Sequence, residues 1–248
     1  MIELAKFSIG VGDRFGHQGP AQVRAVKALR DEGVTVAPVW NKSFREHGIV
    51  GTSPVDTRRA ADAAVKAEGW NAEYHVDADH IGLKNVEAFI GASDFFTLDV
   101  ADFIGRPADT TEIDAFVKRH AGLAQPLEVE GFARPLVLDG GQLRAIASQY
   151  LAAIKAAGKL YRHIAERKSG AGFVTEVSMD ETLHPQTPLD LLVILAGLAA
   201  EGIPAQTVAP KFTGEFHKGV DYIGDPLRFA AEFNDDILVL RYAATCFD

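Results

Sequence analysis

Apolar and polar positions along the chain repeat as one unit: a short apolar strand, a loop, a helix that opens at X-Pro, then a glycine stop. Ser53-Pro54-Val55-Asp56 is such an opening. The serine can cap free N–H groups, proline suits the first helical turn, and aspartate favours the positive helix end. Thr187-Pro188-Leu189-Asp190 repeats the arrangement, and Asp225-Pro226 does so more briefly. Asp31-Glu32-Gly33, Ala67-Glu68-Gly69 and Ala200-Glu201-Gly202 are matching stops, because glycine takes the left-handed conformation that closes a helix. The pattern predicts strands near 7–13, 34–40, 73–79, 95–101, 173–178 and 205–211. It predicts helices near 20–32, 54–68, 112–120, 142–167, 188–201 and 226–244. Residues 122–141 break the unit, and Val129, Gly131-Phe132 and Leu136-Val137-Leu138 point to a hairpin or an insertion there.

Strands alternating with helices predict an α/β fold with a parallel sheet. The choice lies between a closed TIM-type (β/α) barrel and an open doubly wound sheet. Polar residues sit at the C-terminal ends of several predicted strands: Asp13, Asp79, Asp99, Glu176 and Lys211. Barrel enzymes gather their chemistry in this way, whereas open sheets concentrate it at a switch point. Ile9-Gly10-Val11-Gly12 also misses the G-x-G-x-x-G spacing of a dinucleotide fold. The reading is a single barrel-like domain over 1–248 with about six βα units, incomplete against the eight of a closed barrel.

Charge and cysteine usage narrow the partners. Acidic side chains number 34 against 25 basic ones, a net charge of −9, which argues against nucleic acid. Cys246 is the only cysteine, so no intrachain disulfide forms. The first residues lack a signal-peptide pattern, and the longest apolar stretch, 191–200, is too short to span a bilayer. The expectation is a cytoplasmic protein that acts on a small molecule, away from membranes.

The densest polar cluster is Tyr74-His75-Val76-Asp77-Ala78-Asp79-His80. On a strand, His75, Asp77 and Asp79 point one way, with Tyr74, Val76 and Ala78 opposite. Buried unpaired carboxylates are costly, and a divalent ion such as Zn, Mn, Ni or Fe relieves that cost. A solvated strand end is the plainer alternative. Asp99, inward with Thr97, is either an acid–base group or a structural carboxylate. Glu176 interrupts an apolar strand, as a ligand or catalytic group does. Lys211, at a strand end, could bind a carboxylate or polarise a ketone, and His217 could complete a metal site. The glycine-rich loop 12–20 carries Asp13, Arg14, His17 and Gln18, which suit substrate binding, though a tight turn alone would also explain it.

The runs KFSIGVGDRFGHQG, HVDADHIGL, FTLDVADFIG, TEVSMDETLHPQTPLDLL and VAPKFTGEFHKGVDYIGD resemble the tagaturonate epimerase family over nearly the whole chain. The resemblance implies a TIM-barrel, metal-dependent epimerase that interconverts D-tagaturonate and D-fructuronate in hexuronate catabolism, with some members acting on neutral ketohexoses. It also implies longer relatives, with sequence before Met1 and a histidine-bearing strand past Asp248. Combined with the strand-end pattern, it suggests Asp79, Glu176 and His217 as metal ligands, with His75 or His80 as replacements. Asp77, Asp99 and Lys211 are then the catalytic candidates, and Asp13, Arg14, His17 and Gln18 the substrate-binding ones. The hexuronates differ at the carbinol β to the ketone, where simple enolisation cannot act. Retro-aldol cleavage and re-closure, or transient oxidation, can. The missing dinucleotide fingerprint favours retro-aldol. A metal-dependent aldolase or isomerase, or a truncated barrel that only binds a sugar acid, are the alternatives. A barrel short of two units is expected either to self-associate through its open edges or to be marginally stable and weakly active.

Overall fold

A computed structural model describes residues 2–217 and 219–247. The strands are β1 (Ser8–Gly10), β2 (Ala37–Ser43), β3 (His75–Ile81), β4 (Phe95–Asp99), β5 (Pro126–Leu127), β6 (Leu136–Val137), β7 (Val174–Ser178) and β8 (Thr207–Ala209). The helices are α1 (Gly19–Asp31), α2 (Phe44–Val50), α3 (Pro54–Ala67), α4 (Thr110–Arg119), α5 (Gly140–Lys168), α6 (Pro188–Ala200) and α7 (Pro226–Cys246). Six strands form one parallel sheet in the order β1-β2-β3-β4-β7-β8, an incomplete TIM-type barrel as the pattern predicted. β5 and β6 pair antiparallel as a separate hairpin, inside the stretch that breaks the repeating unit.

The X-Pro openings become helix starts for local reasons. The Ser53 backbone N–H and hydroxyl donate to the Asp56 carboxylate, and Thr187 accepts the N–H of Asp190 within a reciprocal capping box. Asp225 accepts the first free N–H groups of α7. Helix α2 was not predicted from the sequence. It has only seven residues with Gly48 inside, so its apolar period is too brief to register.

Contacts divide the chain into two compact units. One holds the residues through Asp99 with Leu160–Val177 and Ala205–Thr207. The other holds Val100–Lys159, Ser178–Pro204 and the residues from Val208 on. In the first unit, the sheet has a helix-covered face. Trp40 and Val76 pack on Val23, Val26, Ala61 and Ala64 of α1 and α3. Ala78, Phe96 and Leu98 pack on Phe89, Leu160 and Ile164. The opposite face begins with an apolar layer of Val39, Phe95 and Val174, covered by Ile2 and Leu4.

The second unit has its own core, built from α4, α5, α6, α7 and the hairpin around Leu138, Leu143, Leu191 and Val239. Gly197 of α6 lets this core close: a Cβ there would stand 2.6 Å from the Cδ1 of Ile154 on α5. Gly197→Ala is therefore expected to lower the unfolding free energy by about 1–3 kcal/mol, as overpacked cores do. Urea titration of the single variant and of Gly197→Ala with Ile154→Val checks this. The smaller Ile154 replacement should recover part of the loss, and a single variant as stable as the parent would sink the close-packing argument. No helix among the described residues is long and apolar enough to cross a membrane.

Candidate functional site

Above the apolar layer, the same face of the first unit turns polar. The Thr97 hydroxyl donates to Oδ2 of Asp77 at 2.9 Å and stands 3.5 Å from Oε1 of Glu176. The Thr207 hydroxyl donates to the other Glu176 oxygen at 2.7 Å. Asp77, Thr97, Glu176 and Thr207 thus form a row across β3, β4, β7 and β8. Alternation on each strand places them together, as it does for Asp77 with Asp79. Asp77 is buried, and its Oδ1 has no hydrogen-bond partner among the described residues. Burial, then the charges of Asp79 and Glu176, push its carboxyl well above the ordinary aspartate range.

One further side chain joins by breaking the alternation. Ala78 pairs with Phe96 and Ile81 with Leu98, so β3 spends three steps where β4 spends two. This is a β-bulge, and His80 within it takes φ +49°. Strict period two would set His80 on the helix side. Instead its Nδ1 stands 3.7 Å from Oδ2 of Asp99 and its Nε2 3.8 Å from Oδ1 of Asp79. Ile81 returns to the core beside Ala78. The only sequence hint is a second histidine directly after the aspartates.

His75 belongs to a different network, at the start of β3. Its Nε2 contacts Glu73 at 2.6 Å and its Nδ1 stands 3.5 Å from Asp94, which pairs with Arg58 at 2.8 Å. Burial pulls its pKa down, but Asp94 and Glu73 outweigh that and leave it raised.

The glycine-rich loop is organised by its own aspartate. Asp13 accepts the backbone N–H groups of Phe15, Gly16 and Gln18. Arg14 pairs with Glu46 at 2.9 Å. His17 and Gln18 are exposed, with the His17 ring 6.4 Å from that of Phe15. In the second unit, Lys211 is fixed by its backbone: its N–H donates to the Gln186 side chain, and its carbonyl accepts the Gln186 N–H. His217 is exposed and contacts Glu215 at 2.8 Å. The first unit therefore brings together Asp77, Asp79, Asp99 and Glu176, while Lys211 and His217 belong to the second. No group of three His, Cys, Asp or Glu side chains among the described residues is already spaced to hold a metal ion.

Comparison with known proteins gives concordant matches. The sequence model of a family described as UxaE, tagaturonate epimerase, matches residues 1–242. A tagaturonate/fructuronate epimerase of Thermotoga maritima is 30% identical over 242 residues, covering 91% of this chain and 48% of that protein. The glycerol-complexed fructuronate-tagaturonate epimerase UxaE of Cohnella laeviribosi superposes with a TM-score of 0.80 at 25% identity, over 96% of this chain and 50% of that one. Its native form gives 0.79 at 25% identity, over 98% and 51%. The chain spans about half the length of the relatives it matches.

Proposed function

We propose that this chain, which belongs to the tagaturonate epimerase family, carries the carboxylate-bearing part of a site that interconverts D-tagaturonate and D-fructuronate. The observation that carries the reading is the row of Asp77, Thr97 and Glu176. A carboxyl driven to hold its proton stands next to carboxylates that repel it. Such a pair splits acid and base roles between neighbouring groups.

In a retro-aldol course, a base takes the proton from the hydroxyl on the carbinol to be inverted. The adjacent C–C bond breaks to an aldehyde and an enediolate, the aldehyde turns, and the bond re-forms on its other face. Asp99 and the row around Asp77 are suited to take up and return that proton.

The donor chemistry of the site fits a divalent cation. Three carboxylates act on a common region, and Asp77 keeps an unsatisfied oxygen there. Asp79 and Glu176 are the residues of the first unit that would hold the ion. When bound, it would supply Lewis-acid stabilisation of the enediolate charge.

Isothermal titration of the purified chain with Mn²⁺ and Zn²⁺, with parallel NMR of added D-fructuronate, tests this. Expected are metal binding that Asp79→Asn and Glu176→Gln each weaken, and D-tagaturonate formation without added nicotinamide. Metal-independent turnover, or binding untouched by both variants, would remove the ligand assignment. Accumulation of three-carbon fragments in place of the epimer would make the protein an aldolase.

A further inference from the structure

A partly open cavity of about 130 Å³ lies in the first unit among the β1–α1 loop, the end of β2 and the start of α3. Asp13, Phe15, Trp40, Thr52, Asp56 and Thr57 line it, together with Lys42. Lys42 is the next residue after Trp40 but one along β2, so it lies on the helix-covered face, away from the Asp77 row. Only 4% of its surface is exposed. Its ammonium makes no hydrogen bond or ion pair among the described residues.

The carboxylates that act on Lys42 at longer range, Asp13, Glu46 and Asp56, already have partners. Asp13 accepts the amides of its loop, Glu46 accepts from Arg14, and Asp56 accepts from Ser53. The Thr57 hydroxyl is also buried without a hydrogen-bond partner. The buried Thr57 hydroxyl left unsatisfied beside this space is costly unless something occupies it, and the Lys42 amine borders the same space without a protein partner.

The surroundings select the occupant. Three carboxylates oppose an anion, so phosphate or carboxylate ligands are disfavoured. They equally oppose acylation or carbamate formation, which would remove the Lys42 positive charge from beside them. An adduct that keeps the charge suits them. Burial lowers the lysine pKa against the carboxylates' pull, and this favours the free, nucleophilic amine. His47, pushed down to about 4 by burial and then by the Lys42 charge, adds no competing cation.

We infer that Lys42 is a covalent capture site for a small aldehyde or hydroxyketone, held as an iminium in this cavity. The amine adds to the carbonyl carbon, and its proton passes to the carbonyl oxygen to give a carbinolamine. That oxygen then leaves as water, forming a C=N bond that gains one proton from solvent; no electrons are exchanged. Thr57 supplies the unsatisfied hydroxyl for the carbonyl oxygen. The cavity has room for a ligand of a few carbons. Lys42 and Thr57 have no role in the proposed epimerase reaction, so this site stands or falls separately from that reading.

The test uses the full chain, D-glyceraldehyde and cyanoborohydride at pH 7, with peptide mass spectrometry. Lys42 is expected to carry the reduced three-carbon adduct about tenfold faster than the exposed Lys66 and Lys159, as a buried, pKa-lowered amine should. Ala60→Leu, which fills the cavity, should bring Lys42 to or below the rate of Lys66 and leave Lys66 unchanged. In urea, the preference of the parent chain should vanish. An unmodified Lys42 in the folded chain, equal labelling of all three lysines, or a preference that persists in urea would each overturn the assignment.

Discussion

At pH 8 the Asp236→Asn protein is expected to resist urea better than the parent, while at pH 4 the two should coincide. Asp236 lies on α7 and is only 6% exposed. Burial, then the charges of Asp235 and Glu232, raise its pKa to about 7. The folded chain thus keeps a proton that the unfolded chain gives up near the ordinary aspartate value of 3.8. Its contribution is fully present below that value and drains away as pH rises through about 7. A displacement of this size corresponds to up to about 4 kcal/mol at alkaline pH. Asparagine has no charge to bury, so the variant escapes the loss. Equal midpoints at pH 8 would mean that the side chain is hydrated or paired once ionised.

Asp77→Asn should abolish turnover and spare the fold. If Asp77 exchanges a proton with substrate, kcat falls by about 10²–10⁴-fold, the usual share of general acid–base catalysis. The fold survives because burial and the neighbouring carboxylates favour the protonated form of the parent side chain, and an amide is its uncharged near-isostere. The amide oxygen can still accept the Thr97 hydroxyl that now bonds Oδ2. Folding raises the Asp77 pKa, so the parent loses stability as pH climbs through that raised value, and the variant should not. Turnover within about tenfold of the parent would remove Asp77 from the proton path. Parallel pH–stability curves for the two proteins would show that Asp77 is not the group burdened by its neighbours.

The strand–helix order was legible because its signals are local. Ser53-Pro54 and Thr187-Pro188 set helix starts that need nothing distant, and the alternation of Asp77 and Asp79 fixed which face they share. The hairpin at Pro126–Leu127 and Leu136–Val137 also showed, as a break in that order. What stayed hidden depends on partners far along the chain. The bulge that turns His80 towards Asp99 is a mismatch between β3 and β4, and neither strand alone encodes it. The pairing of Arg14 with Glu46 was equally hidden, because Glu46 sits in the unpredicted α2. Asp13 has the composition of a ligand-binding residue, and its structural work is to cap its own loop.

The strand order 1-2-3-4-7-8 also says something about when the site comes into being. The first four strands pair with their neighbours in sequence, so each pairing closes a loop much shorter than the one between β4 and β7. β4 and β7 are separated by residues 100–173. Closing that span adds only logarithmically to the entropic cost, yet folding rates fall as contacts become more distant in sequence. Docking of β7 beside β4 is therefore the expected slow event. Until it happens, Thr97 and Glu176 have not met, and Asp77 has one repelling neighbour fewer. The share of Asp77's raised proton affinity that comes from Glu176 is a late acquisition of the folding chain, added only once β7 has paired with β4.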